Sequence, residues 1–262
     1  MRIPVIHGVI DRRLLVNYRV DPARLARLLP APFRPQLVNG HGMAGICLIR
    51  LRGVHPRFWP AWLGIRSENA AHRIAVEWDD GAVVRCGVYV ARRDSSSHLN
   101  ALAGGRLFPG VHHHARFDVN EGDGRYQVRM TADDRSAALA VDGVQTAAWP
   151  STSVFGSVDE ASAFFAAGAL GYSPNRRPGC FDGLELRCAQ WQVEPLAVQQ
   201  VSSSFFDDRT LFPAGSAAFD CALLMRNVVH EWHSRDVIKS QNSSNKTQTN
   251  PKNQNPMSQT CS

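Results

Sequence analysis

Turn-forming residues cut the sequence between Leu14 and His233 into short segments, and this punctuation limits the fold more than any other feature. Leu14 to Val20 alternates weakly as a strand, and the mostly apolar Met43 to Leu51 reads as a largely buried one. Arg73 to Trp78 and Ala82 to Ala91 flank Asp79-Asp80-Gly81, a hairpin signal, and Val111 to Phe117 and Arg125 to Thr131 bracket the turn-rich Asn120 to Gly124. Leu184 to Trp191 and Ala217 to His233 add further strands. The helices are few and short. Asp21-Pro22 supplies an N-cap and a first-turn proline for Leu25, Leu28 and Leu29, and Pro30 stops the run. Ser95 to Ser97 cap a segment with Leu99, Leu102, Ala103 and Leu107, which Gly104-Gly105 weakens by roughly 1 kcal/mol each relative to alanine. Ser157 and Glu160 form a capping box before Ala161 to Ala167. Many antiparallel strands with a few short helices predict an α+β chain whose sheet closes, or nearly closes, into a cone or barrel.

The chain has 262 residues, 44% hydrophobic and 20% charged, enough to bury a core and to exclude wholesale disorder. Its apolar stretches, such as Ala217 to Met225 with Asp220 inside, fall short of the roughly 18 residues of a membrane helix. The opening MRIPVIHGVIDRR carries a proline and a histidine in its one apolar run and no small-residue cleavage site, so a cytoplasmic location is expected. Six cysteines without a C-x-x-C pair point to plain thiols, not to a disulfide framework or zinc ribbon. Residues 240–262 are almost wholly Ser, Asn, Gln, Thr, Lys and Pro and predict a disordered polar tail after one domain over residues 1–239. The formal charge is +6. Two of the three lysines lie in that tail, and the remaining excess is too mild and too scattered for nucleic acid to be a partner. Lys239 is the first lysine of the chain, whereas all 26 arginines precede residue 236.

His112-His113-His114 is the most unusual local feature. On a strand, period two puts His112, His114 and Arg116 on one face, with Val111, His113, Ala115 and Phe117 on the more core-like other. That parity expects His112 and His114 in a cavity or on the polar side and His113 in a buried, hydrogen-bonded structural role. H-x-H on one strand face is half of a metal site, but no spacing fixes a third ligand, and on a strand His230 and His233 face opposite ways. No metal or other cofactor is therefore expected, with His112 and His114 the residues to watch. Arg93 and Asp94 either bind a carboxylate or pair with each other at a strand end, the second being favoured. Phe58, Trp59 and Trp62, in a proline-rich loop, read equally as a pocket lid or as cover for the core.

Tyr18-Arg19 and Asp21 opening the first helix, the L-x-x-LLP-x-P from Leu25 to Pro32, Glu68 ahead of a strand, and the segment from Arg106 to Ala115 together resemble the acetoacetate decarboxylase-like superfamily, most closely its YqjF-like branch. The similarity spans roughly residues 10–120. It implies a mainly antiparallel β cone or barrel around a small-molecule pocket, and an oligomer by analogy. Decarboxylases of that superfamily form a Schiff base on one lysine of an adjacent pair. In this register the pair falls on His112 and His113, the family's early arginine falls at or beside Asp11, and only Glu68 matches an acidic active-site position. Imidazole forms no stable imine with a ketone, so Schiff-base decarboxylation is not expected. The resemblance instead implies a small-molecule binding protein, with keto or carboxylic acids as candidate ligands and Glu68, His112, His114, Arg116, Arg93 and Asp94 as pocket candidates. The alternative is an enzyme that uses His112, His114 and Glu68 in acid–base or metal-assisted lyase or hydrolase chemistry.

Overall fold

A computed structural model describes residues 4–105 and 108–240. In chain order the elements are β1 (Ile6–Val20), α1 (Pro22–Leu28), β2 (Arg34–Pro35), β3 (Leu37–Val38), β4 (His41–Pro56), a 3-10 turn (Ala61–Leu63), β5 (Ile65–Asp80), β6 (Val83–Ser95), α2 (His98–Ala103), β7 (His113–Gly122), β8 (Arg125–Ala132), β9 (Ala138–Gln145), α3 (Val158–Ala167), β10 (Leu170–Pro174), β11 (Cys180–Cys188), β12 (Glu194–Ser203) and β13 (Ala217–Lys239). Leu107 and Arg106 lie outside the described residues, as does the expected tail apart from Ser240.

Local chemistry sets the element ends. The Asp21 carboxylate accepts the amides of Ala23 at 2.7 Å and Arg24 at 3.2 Å, opening α1 at Pro22. Ser97 caps α2, which ends against Gly104. Ser157 accepts the Glu160 amide at 3.2 Å, while the Glu160 carboxylate reaches past the expected box to the amide of Gly156 at 2.7 Å. The hairpin turns at Gly81, whose φ of 65° lies in the left-handed region. β4 and β13 run well beyond the expected Leu51 and His233 because paired neighbours extend them: β5 beside β4, and β11 beside the second half of β13.

The sheet closes on itself in two circuits. One runs β1–β4–β5–β6–β10–β11–β13 and back to β1, with every pairing antiparallel except β6–β10. The other leaves β6 through β7, β8, β9 and β12 and rejoins β13. The two share the wall β13–β1–β4–β5–β6. Both faces of that wall are covered, which is why Met43 to Ile49 reads as a nearly unbroken apolar run. Leu14 and Val16 of β1, and Ile46 and Leu48 of β4, turn into the main core inside the β7–β8–β9–β12 circuit. Leu15, Met43 and Cys47 turn the other way, onto a second cluster built with Phe155 and Phe165 that packs α3 against the first circuit. β7 starts at His113, so His112 lies ahead of the strand and the expected parity does not extend to it.

Candidate functional site

The first circuit encloses a cavity of about 730 Å³, within the size range of small-molecule sites. Strand alternation selects its wall: Cys47, Ile49 and Leu51 from β4, Ile65, Ser67, Asn69, Ala71 and Arg73 from β5, and Val88 and Val90 from β6 all face inward. Beyond Val90 the register slips. His72 pairs with Arg92 and Arg73 with Val90, leaving Ala91 as the extra residue of a β-bulge. The bulge turns Arg93, rather than Arg92, into the cavity.

Three arginines, Arg13, Arg73 and Arg93, line this largely apolar space. None of them pairs with a carboxylate among the described residues. Arg13 donates from Nε to the Cys47 sulfur at 3.3 Å and lies 5.4 Å over the Trp191 ring. Arg73 is 6% exposed, donates to the Asn17 side chain and stands 4.8 Å over Phe165, while its Nε has no hydrogen-bond partner among the described residues. Arg93 donates from Nε to the Ser173 hydroxyl at 2.9 Å. Burial pushes both Arg73 and Arg93 down to about 10, which leaves them cationic at neutral pH. Gly110 makes the room for Arg93: with φ at 79°, a Cβ there would stand 2.7 Å from Ser173 Cβ and 3.2 Å from Arg93 Nε.

His112 joins the same cavity. Its Nδ1 lies 3.0 Å from the Gly110 carbonyl, an acceptor, so Nδ1 carries the hydrogen of the neutral ring. Burial and then the charge of Arg93 push the imidazole down to about 4. Asp94 also borders the cavity, but its carboxylate accepts Arg92 Nε at 2.9 Å, so the expected Arg93–Asp94 pair does not form. Burial raises the pKa of Asp94, and Arg92 opposes that rise.

The other expected site residues lie elsewhere. Glu68 is inside β5, not ahead of a strand, and one position out of phase with Ser67 and Asn69. It joins Arg12, Arg50 and Glu121 in an ion-pair network beside a shallower depression that Asp11 also lines. His114 stacks on His98 with ring centroids 3.7 Å apart and meets Asp133 at 2.7 Å. The Arg116 side chain is 87% exposed. His113, expected among apolar neighbours, keeps 40% of its side chain exposed and faces Asp134 at 3.5 Å. His112, His114 and Glu68 therefore do not converge, and among the described residues no three His, Cys, Asp or Glu side chains come together as a metal site.

Phe58, Trp59 and Trp62 are 72%, 51% and 81% exposed, so the aromatic loop does not cover the core. Trp59 instead shares the cavity rim with the exposed Leu63, Leu99 and Leu102. Sequence reasoning missed Arg13, Arg73 and Cys47. The available signal was a charge inside an apolar strand segment, as in Ala70 to Val76.

No curated protein matches the sequence. Among solved structures, acetoacetate decarboxylase from Legionella pneumophila is similar with a TM-score of 0.59 at 9% identity over 91% of this chain and 89% of that one. An acetoacetate decarboxylase-like enzyme from Sphingomonas wittichii RW1 gives 0.55 at 13% identity over 90% and 92%. The enduracididine biosynthesis enzyme MppR, complexed with pyruvate, gives 0.58 at 12% identity over 90% and 91%. At such identities the likeness is one of fold. Residues 10–225 match the model of DUF2071, described as an uncharacterized conserved protein. With that model covering most of its length, the chain belongs to the DUF2071 family and has the acetoacetate decarboxylase-like fold.

Proposed function

We propose that the cavity binds a small amphipathic carboxylate, a keto or carboxylic acid with an apolar body, and does so without forming an imine. One observation carries this reading: three cationic side chains line an otherwise largely apolar cavity without a carboxylate partner among the described residues. Burying a charge is costly unless it is paired. A ligand carboxylate supplies the missing partner, and guanidinium is the cation that holds it bidentately. The apolar lining takes the rest of the molecule, and neutral His112 offers a polar contact beside Arg93. The MppR structure holding pyruvate is consistent with a 2-oxo acid in a cavity of this fold.

An imine needs a primary amine, and Lys239, the one lysine among the described residues, is exposed at the end of β13. Among the described residues no helix is long and apolar enough to cross a membrane. The test is native mass spectrometry with 2-oxohexanoate, followed by borohydride. A retained ligand and no reduced lysine adduct is the expected result. A reduced adduct on any lysine, or no retention, overturns the reading.

A further inference from the structure

The wall that presents the arginines also presents a thiol. Cys47 belongs to the inward series of β4, is 8% exposed and lines the cavity. Arg13 Nε points at its sulfur from 3.3 Å, and Arg73 and Arg93 line the same cavity. The independent pointer to a ligand is Arg73, 6% exposed, lining the cavity with an Nε that has no partner among the described residues. A carboxylate that meets Arg13 brings its neighbouring carbon toward Sγ. In a 2-oxo acid that neighbour is the ketone carbon.

We propose that Cys47 is the nucleophile of this cavity and adds reversibly to the carbonyl carbon of a bound 2-oxo acid. The inference rests on the carboxylate reading above and deepens it. In the step, a bond forms between sulfur and the ketone carbon, and the π pair of the C=O moves onto its oxygen. The thiol proton ends on that oxygen, giving a hemithioketal. Nothing is oxidised or reduced, no group leaves, and no co-reactant is needed. The thiol adds to the carbonyl carbon as an amine would at the start of imine formation, with a bond that opens again by the reverse path.

Two measurements on the purified full chain test it. With 2-oxohexanoate labelled with carbon-13 at the ketone, NMR should show a tetrahedral carbon signal distinct from the free hydrate in the wild type and not in Cys47→Ser, while calorimetry finds hexanoate bound by both. The second uses the unmodified chain and so does not depend on the variant folding. Anionic iodoacetate should alkylate Cys47 at least about tenfold faster than neutral iodoacetamide, because a cationic cleft concentrates anions. Peptide mapping identifies the labelled cysteine, and excess hexanoate should protect it. A signal that persists in Cys47→Ser, bound 2-oxohexanoate that shows only ketone carbon, or faster labelling by iodoacetamide overturns the proposal. Hexanoate binding without the tetrahedral carbon removes the thiol step alone, whereas no hexanoate binding removes the carboxylate site as well.

Discussion

Replacing Arg93 by methionine should make the empty protein more stable and the liganded one weaker. The guanidinium has Ser173 as its hydrogen-bond partner and no carboxylate among the described residues. Burial lowers its pKa from the ordinary arginine range to about 10, which at 1.36 kcal/mol per pKa unit is an unfavourable charge burial of roughly 3 kcal/mol. At any pH well below 10 the group is charged in both folded and unfolded chains, so that whole penalty is present at pH 7. Methionine keeps an unbranched apolar stem and removes the charge. Against the gain stands the lost Ser173 hydrogen bond, about 1 kcal/mol. The net is roughly 2 kcal/mol of added stability, or about 4–8 °C in melting temperature for a chain of this size. Affinity moves oppositely. A charge-assisted hydrogen bond contributes about 1.5–3 kcal/mol, so hexanoate should bind roughly 10- to 150-fold more weakly. Scanning calorimetry of the empty proteins and titration calorimetry with hexanoate read both numbers. A lower melting temperature in the variant, or an unchanged hexanoate affinity, would refute the reasoning.

Glu68→Gln should cost about 3 kcal/mol, because it takes a partner from buried Arg12, yet leave hexanoate affinity unchanged; urea unfolding and calorimetry check the two halves. Gly110→Ala, at a φ of 79° and against Ser173, should lose at least about 2 kcal/mol and weaken hexanoate binding by displacing Arg93. Melting curves and binding isotherms test it, and a fully stable variant contradicts it. Burial, aided by Arg92 at His72 and by Arg93 at His112, pushes His72, His112 and His230 down to about 4. The unfolded chain takes up these protons from about pH 6.5 downward and the folded chain does not, so stability present above pH 6.5 is lost as pH falls toward 4. Three such groups give a slope approaching about 4 kcal/mol per pH unit in denaturant titrations, and His72→Gln should reduce it by about a third.

What was legible in the sequence was local. Asp21, Ser97 and Ser157 mark helix starts by their own side chains, and Asp79-Asp80-Gly81 marks a hairpin by its backbone demands. Strand parity was legible only where the register was. Glu68, read as lying ahead of a strand, sits inside β5 one residue out of phase with Ser67 and Asn69, and one residue on a strand is a change of face. His112 lies just before β7, so alternation counted from Val111 did not apply to it. The bulge at Ala91, which decides between Arg92 and Arg93, depends on pairing with β5 and leaves no mark in local composition. Arg13 and Arg73 stood among 26 arginines, and their lack of carboxylate partners exists only once the sheet closes. The trio is a product of topology, assembled from β1, β5 and β6.

The central claim is that the cavity selects a negative charge at one end of an apolar molecule. Hexanoate and hexanamide have nearly the same shape and differ in that charge. Titration calorimetry of the wild-type chain should find hexanoate bound at least about tenfold more tightly than hexanamide, a difference of about 1.4 kcal/mol or more. Equal affinities, or tighter binding of the amide, would contradict the account.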